Sequence, residues 1–361
     1  MREKALDNRC PACAAPIFFN PTLGKWKCDY CDSIFTLEEL QKFNNASNKD
    51  VNFDEEKVTE KKKVVDNTVY VSYSCKDCGA EIVADEQTAS TFCVYCGNTA
   101  ILKSKLSGQF QPAKIIPFRT EKKLAVESFK GLSKGRPLMP KTFNNEKNIE
   151  KISGIYIPFW LFDINVAGNL NADGKKTTTW IIGNTHFTKT DIYKLYRSAS
   201  MNYQKIPVDG STRFDNDIMN TIEPFDYKEL VDYNHAYLSG FLAEKYDVIS
   251  DVAIKDAESR SLNSTVEDMK RDMGNYTGKN VFENTLVAKQ IKAEYALLPV
   301  WMVNVKYSNK YYTFAMNGQT GEFIGNIPLD KNKTILYSII IYVVTFALTI
   351  LFSFIFYVVG N

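Results

Sequence analysis

The chain has little of what catalysis usually draws on. Only two histidines occur in 361 residues, His186 and His235. No Gly-x-Ser-x-Gly elbow, phosphate-binding glycine loop or His-Glu-x-x-His motif is present. His186 stands in a strand-like run and His235 is flanked by Val231, Leu238 and Leu242, a setting for a packed or half-exposed ring rather than a base. An enzyme is therefore not expected. An excess of one charge is missing too: 44 Lys and Arg against 42 Asp and Glu leave a net charge of +2. Proteins that grip nucleic acid through its phosphates concentrate basic charge on one surface. The opening "MREKALDNRC" lacks the apolar run of a secretory signal peptide. Disulfides, which need an oxidising compartment, are accordingly not expected.

What the chain does have is eight cysteines with none spare. Cys10, Cys13, Cys28 and Cys31 are spaced Cys-x2-Cys, fourteen residues, Cys-x2-Cys, and Cys75, Cys78, Cys93 and Cys96 repeat that spacing. Two thiolates separated by two residues can face one ion from a tight turn, and two such turns supply four tetrahedral ligands. A thioredoxin-like switch would need one such motif, not two matched sets. The expectation is two zinc ribbons holding two ions, one each, with iron left open because ligand spacing does not separate the two metals. Gly79 and Gly97 follow the pairs of the second set, where the first has Ala14 and Asp32. The ribbons are placed at residues 1–43 and 70–106, joined by a charged linker at 44–69. Acidic residues offset the basic ones around both ribbons, so nucleic acid is not an expected partner.

At the other end, the 26 residues from Thr334 to Val359 carry no charge. At ~1.5 Å per residue they exceed the ~30 Å hydrocarbon core of a bilayer. Lys331 and Lys333 precede this segment, so positive charge favours keeping the bulk of the chain in the cytoplasm, behind a single span of the cell membrane. The hydroxyls of Ser338, Thr345, Thr349 and Ser353 could join helix to helix in an oligomer, although such groups commonly bond back to their own backbone.

Between ribbons and span, residues 107–330 read as an α+β domain with an internal echo. "GIYIPFWLFDINV" (Gly154–Val166) and "YALLPVWMVNVKY" (Tyr295–Tyr307) align Pro158 with Pro299 and Trp160 with Trp301. Both alternate as half-buried strands, with the prolines expected at the strand starts. Turns are expected at "NGQTG" and, in the first unit, at "NADGK" (Asn171–Lys175). Helices are expected over Thr120–Leu132, Asp226–Tyr246 and Asp251–Met273. Asp209, Asp215, Asp217, Glu223 and Asp226 gather in a stretch that matches no calcium loop and reads as a turn-rich solvated surface.

The paired ribbons, "IPFW", "LLPVW", "IEPFDY", "NGQTGE" and the apolar C-terminus together resemble bacterial membrane proteins labelled TFIIB-type zinc ribbon-containing proteins. The resemblance covers nearly the whole chain. It implies a membrane platform associated with SPFH-domain or PspA-like envelope-stress proteins, and it supplies no catalytic residues. The expected function is a membrane-anchored cytoplasmic scaffold that recruits a protein partner. A nucleic-acid-binding factor and a hydrolase in the α+β domain are the alternatives.

Overall fold

The computed structural model describes residues 9–47, 70–75, 78–85, 93–95, 101–104, 112–140, 148–149, 151–213, 216–308 and 310–359. They form an α+β fold with predominantly antiparallel sheet and one apolar C-terminal helix. In the first ribbon β1 (Phe18–Asn20), β2 (Lys25–Lys27) and β3 (Ile34–Phe35) make a small antiparallel sheet, followed by α1 (Leu37–Ser47). A capping box starts that helix: Thr36 Oγ1 accepts from the Glu39 amide and the Glu39 carboxylate accepts from the Thr36 amide. The helix thus extends into the segment read as a linker, the rest of which lies outside the described residues. In the second ribbon β4 (Tyr70–Cys75) lies between β5 (Glu81–Asp85) and β6 (Ile101–Ser104).

The body begins with β7 (Lys114–Ile115), α2 (Lys122–Gly131), β8 (Ser153–Ile182) and β9 (Thr185–Asp209). Then come α3 (Asn216–Thr221), β10 (Val231–Asp232), β11 (Leu242–Glu244), α4 (Ser250–Asp272) and β12 (Gly278–Asn284). The chain closes with β13 (Val287–Tyr307), β14 (Lys310–Asn317), β15 (Phe323–Gly325) and α5 (Lys331–Val359). Body and second ribbon share one 12-stranded sheet.

That sheet is an interlocked duplication. One unit is β7, α2, β8, β9; the other is β11, α4, β13, β14. β8 and β13 pair antiparallel with Ile157 opposite Leu298, equivalent positions of the two sequence repeats, so a local twofold passes between them. Each unit's short first strand pairs parallel with the long strand of the other unit: β7 with Ala296 and Leu297, β11 with Ile155 and Tyr156. The equivalence reaches single bonds. Trp160 Nε1 donates to the Val248 carbonyl at 2.8 Å and Trp301 Nε1 to the Thr120 carbonyl at 3.2 Å. The Gly210 amide donates to the Pro158 carbonyl and the Gly318 amide to the Pro299 carbonyl, each at 2.9 Å.

Both prolines lie inside their strands, not at the starts. Each stands where the long strand exchanges one neighbour for another: β11 pairs as far as Tyr156 and β9 begins at Phe159, while β7 pairs as far as Leu297 and β14 begins at Val300. No ladder amide is needed at that gap. The strands are also more deeply buried than alternation implies. Ile155, Ile157, Phe159 and Leu161 face a core with α3 and the second ribbon, and Tyr156 and Trp301 face another with α2 and the first ribbon. Farther along β8 the expected alternation holds, with Phe162, Ile164 and Val166 in the core that includes α4.

Two other expectations fail. Asn171–Lys175 is not a turn but strand, paired with both β9 and β12. Gly174 is needed there because a Cβ would come within 2.6 Å of Leu195 and 2.8 Å of Tyr276. The reversal comes instead at Gly183, with φ +60°, leaving β8 and β9 as one long hairpin arm. Asp226–Tyr246 is not a helix. The Asp226 and Asn234 side chains accept from amides two residues on and cap separate 3-10 turns, and Gly240 takes φ +88°. β10 and β11, within the same span, are drawn into the sheet. The helices expected around residues 120–132 and 251–273 are present as α2 and α4.

Candidate metal centres and membrane helix

The cysteine turns repeat bond for bond. The Ala14 amide donates to the Cys10 carbonyl, Asp32 to Cys28 and Gly79 to Cys75, at 2.8 to 2.9 Å. All three donors take left-handed torsions, with φ of +59°, +57° and +70°. Glycine at position 79 meets that demand without strain, whereas Ala14 and Asp32 adopt it against a steric preference.

These turns bring the ligand atoms together. The sulfurs of Cys10, Cys13, Cys28 and Cys31 all lie within 4.8 Å of one another, as do those of Cys75, Cys78 and Cys93; Cys96 lies outside the described residues. Sγ atoms stand 3.6 Å apart in the pairs Cys10–Cys31, Cys13–Cys28 and Cys78–Cys93. A disulfide would require ~2 Å. Thiolates at ~2.3 Å from a tetrahedral ion would be ~3.8 Å apart. The first donor set therefore fits a four-coordinate thiophilic metal, and the second supplies three ligands of such a set. The Ser33 hydroxyl lies 3.3 Å from Cys31 Sγ, and that hydroxyl together with the Ser33 amide holds the thiol down to about 6. Cys10, Cys28, Cys75 and Cys93 are buried, and Cys13, Cys31 and Cys78 are exposed.

Both clusters are fastened to the body by residues the sequence did not single out. Trp26 of β2 sends Nε1 to the Ala236 carbonyl at 3.0 Å and packs 5.1 Å from Tyr237, centroid to centroid. Ser239 Oγ donates to the Ile17 carbonyl at 2.5 Å. In the second ribbon β5 pairs with β11, and Asn304 Nδ2 donates to the Val94 carbonyl at 2.5 Å. Arg213 reaches the Cys78 and Gly79 carbonyls at 3.5 and 3.1 Å, and its Nε lies 3.4 Å from the buried Glu244 carboxylate. An arginine in a turn-rich acidic stretch carries no signal of that contact. Ala236–Ser239, which meets ribbon 1, lies within the segment expected as a helix and carries no such signal either.

The acidic stretch is not uniformly solvated. Burial pushes Asp209 up to about 7 and Glu223 to about 7. Glu223 is answered by Arg260 at 3.7 Å. Asp226 accepts from the Lys228 amide as a turn cap, and Asp215 lies outside the described residues. The Asp217 side chain also lies outside the described residues, and among those described nothing in this stretch gathers into a cation site. His186 is exposed near the arm tip and His235 is half-buried in a 3-10 turn.

α5 is the remaining feature. Over Lys331–Phe354 it is long and apolar enough to cross a membrane, and none of its most apolar window is buried against the body. Side chains such as Ile341, Phe346, Phe352 and Phe354 are each more than half exposed. Water is a poor solvent for such a surface. Two of the four hydroxyls singled out in the sequence bond back to their own helix: Thr345 donates to the Ile341 and Tyr342 carbonyls and Thr349 to the Phe346 carbonyl. The helix start is tied to the body. The Asp330 amide donates to the Leu138 carbonyl and Lys333 Nζ to the Met139 carbonyl, at 2.9 and 2.7 Å.

The fold and sites define a protein with two N-terminal cysteine clusters able to hold metal, a duplicated α+β body and one C-terminal helix long and apolar enough to cross a membrane. Among known proteins, the uncharacterized protein YdjG of Bacillus subtilis (strain 168) is 33% identical over 312 residues, covering 73% of this chain and 92% of the relative. The chain belongs to the same family as YdjG. No protein-family model matches it, and no solved structure does.

Proposed function

We propose that the chain is a membrane-anchored cytoplasmic scaffold whose two cysteine clusters bind zinc. The observation that carries this reading is that both clusters and the apolar helix are fixed to one body: β5 to β11, Trp26 to Ala236, Lys333 to Met139. Metal bound in the ribbons would thus stiffen the same unit that α5 holds at the bilayer. Zinc suits a tetrahedral set of thiolates, and small ribbons need the free energy of metal binding in order to fold. Lys331 and Lys333 at the helix start favour a cytoplasmic body. A platform of this kind, without a recognisable catalytic motif, suits recruitment of a protein partner. The resemblance to zinc-ribbon membrane proteins associated with SPFH-type and PspA-like proteins suggests a partner of that class in the envelope stress response.

Two measurements test the reading. Elemental analysis of the purified full-length protein should give two zinc ions per chain; fewer than one removes the zinc assignment. A tagged SPFH-type partner should leave the membrane fraction in cells that lack this protein or express it without 334–361. A partner that stays membrane-bound in those cells removes the recruitment assignment and leaves the zinc assignment standing.

A further inference from the structure

Past Lys175, where β12 ends, the arm of β8 and β9 continues with only its own two strands paired among the described residues. A two-stranded ribbon is marginal in water, and a third strand is what ordinarily stabilises it. This ribbon nonetheless exposes large apolar side chains on both faces: Ile181, Ile182 and Ile192 are 61 to 63% exposed, with Trp180 and Phe187 stacked beside them. Its outer edge pairs with no strand among the described residues and carries charges such as Lys189, Asp191 and Lys194, but no irregularity of the backbone blunts it beyond the base. At the base of the arm a register shift, the positive φ of Lys205 and Pro207 interrupt β9. From Tyr203 to Thr185 the register with β8 is unbroken and no proline occurs. Natural sheets blunt edges of this kind or pair them.

We propose that the outer edge of β9 pairs antiparallel with β9 of a second copy of this chain, with Thr190 opposite its own counterpart. A twofold perpendicular to the sheet keeps each side chain on its face, so a regular pair must be centred on a residue. Charge then selects among the registers centred on Thr188 to Ile192. Centring on Lys189 or Asp191 sets that charge against itself. Centring on Thr188 or Ile192 leaves both opposite uncharged residues. Centring on Thr190 places Lys189 opposite Asp191 of the other copy, twice, and Phe187 opposite Tyr193, twice. Lys189 and Asp191 already attract one another within a strand, at 3.1 Å, and both are solvent-accessible. The joined arms would form a four-stranded ribbon, which supplies the neighbour each lacks.

The test uses the full-length protein in detergent or nanodiscs, with molar mass read by sedimentation equilibrium. The wild type should be a dimer. Lys189→Asp and Asp191→Lys each set like charges opposite one another and should weaken self-association about tenfold or more. An equimolar mixture of the two variants should dimerise again, because each supplies the charge the other lacks, and the doubly swapped chain should dimerise alone. A photo-crosslinking residue in place of Thr190, in an otherwise unaltered chain, should capture a second copy through its own position 190 region. Metal content equal to that of the wild type verifies that the variants are folded. A monomeric wild type, a dimer that survives both single variants, or a mixture that stays monomeric overturns the proposal.

Discussion

The cysteine turns show how a single torsion governs a ligand site. Ala14 and Gly79 occupy equivalent turns with φ of +59° and +70°, yet only glycine adopts that region without a penalty of ~1 kcal/mol or more. Ala14→Gly should therefore stabilise the first ribbon by roughly 0.5 to 1 kcal/mol after the added freedom of the unfolded chain is subtracted. Gly79→Ala should destabilise the second by about 1 kcal/mol through torsion alone, since a Cβ at 79 would have nothing within 4 Å. Chelator titration followed by circular dichroism checks both. The buried carboxyls beside the second ribbon make stability depend on pH. Burial pushes Glu244 up to about 8, against the opposing pull of Ser211 and Tyr95, and Asp209 to about 7. Both folded values lie above those of the unfolded chain, so the native state holds protons that unfolding releases. Stability is then fullest in acid and falls as pH rises towards 8, by up to about 1.4 kcal/mol per pH unit for each group. Glu244→Gln should flatten the decline between pH 6 and 8.5 in a thermal-melt series. An unchanged slope in that variant would assign the pH dependence to other groups.

At the scale of elements, the ribbons and the duplicated units hold one another. Trp26 is almost fully buried between Phe19, Tyr237 and the Ala236 carbonyl. Trp26→Ala should cost roughly 3 to 5 kcal/mol and free the first ribbon from the body, read as protease cleavage between residues 9 and 47. Gly318 marks the crossing of the two units. A Cβ there would lie 2.7 Å from Phe118 and 2.8 Å from Pro299. Gly318→Ala should cost about 1 to 3 kcal/mol by overpacking, with the loss visible as a lower midpoint in denaturant. The same substitution at Gly131, where a Cβ would meet nothing within 4 Å, provides the comparison and should be close to neutral.

For the whole molecule the decisive contrast is between a body that buries its apolar residues and a helix that does not. A chain lacking residues 334–361 should remain in aqueous solution with the metal content of the full-length protein. The full-length chain should partition into detergent or vesicles. A truncated chain that aggregates would mean that α5 covers body surface and is not simply an anchor. Chelation should do more than melt two small modules, because β5 is part of the sheet through β11. Metal removal should lower the melting temperature of the body as well, in a single transition and not as a separate early step.

The sequence alone determined the features that depend on local periodicity or spacing. Cysteines two residues apart need only one tight turn, a long uncharged run needs only its length, and the repeat of Pro158 with Pro299 and Trp160 with Trp301 needs only alignment. Tertiary structure decided the rest. Prolines inside β8 and β13 are tolerated because of where neighbouring strands end, which no property of Pro158 or Pro299 records. Asp226–Tyr246 reads as a helix because Leu230, Tyr233, Tyr237 and Phe241 fall at helical spacing, but Asp226, Asn234 and Gly240 break the backbone while two separate cores claim those side chains. Asn171–Lys175 reads as a turn, yet Gly174 is there to admit Tyr276 and Leu195 against a continuous strand. Arg213 reaches the Cys78 turn from 135 residues away in sequence. Local torsion preferences and hydrophobic spacing act over a few residues and so are legible in a string of letters. Strand exchange and contacts between distant residues depend on which surfaces the folded chain brings together, and only packing fixes those.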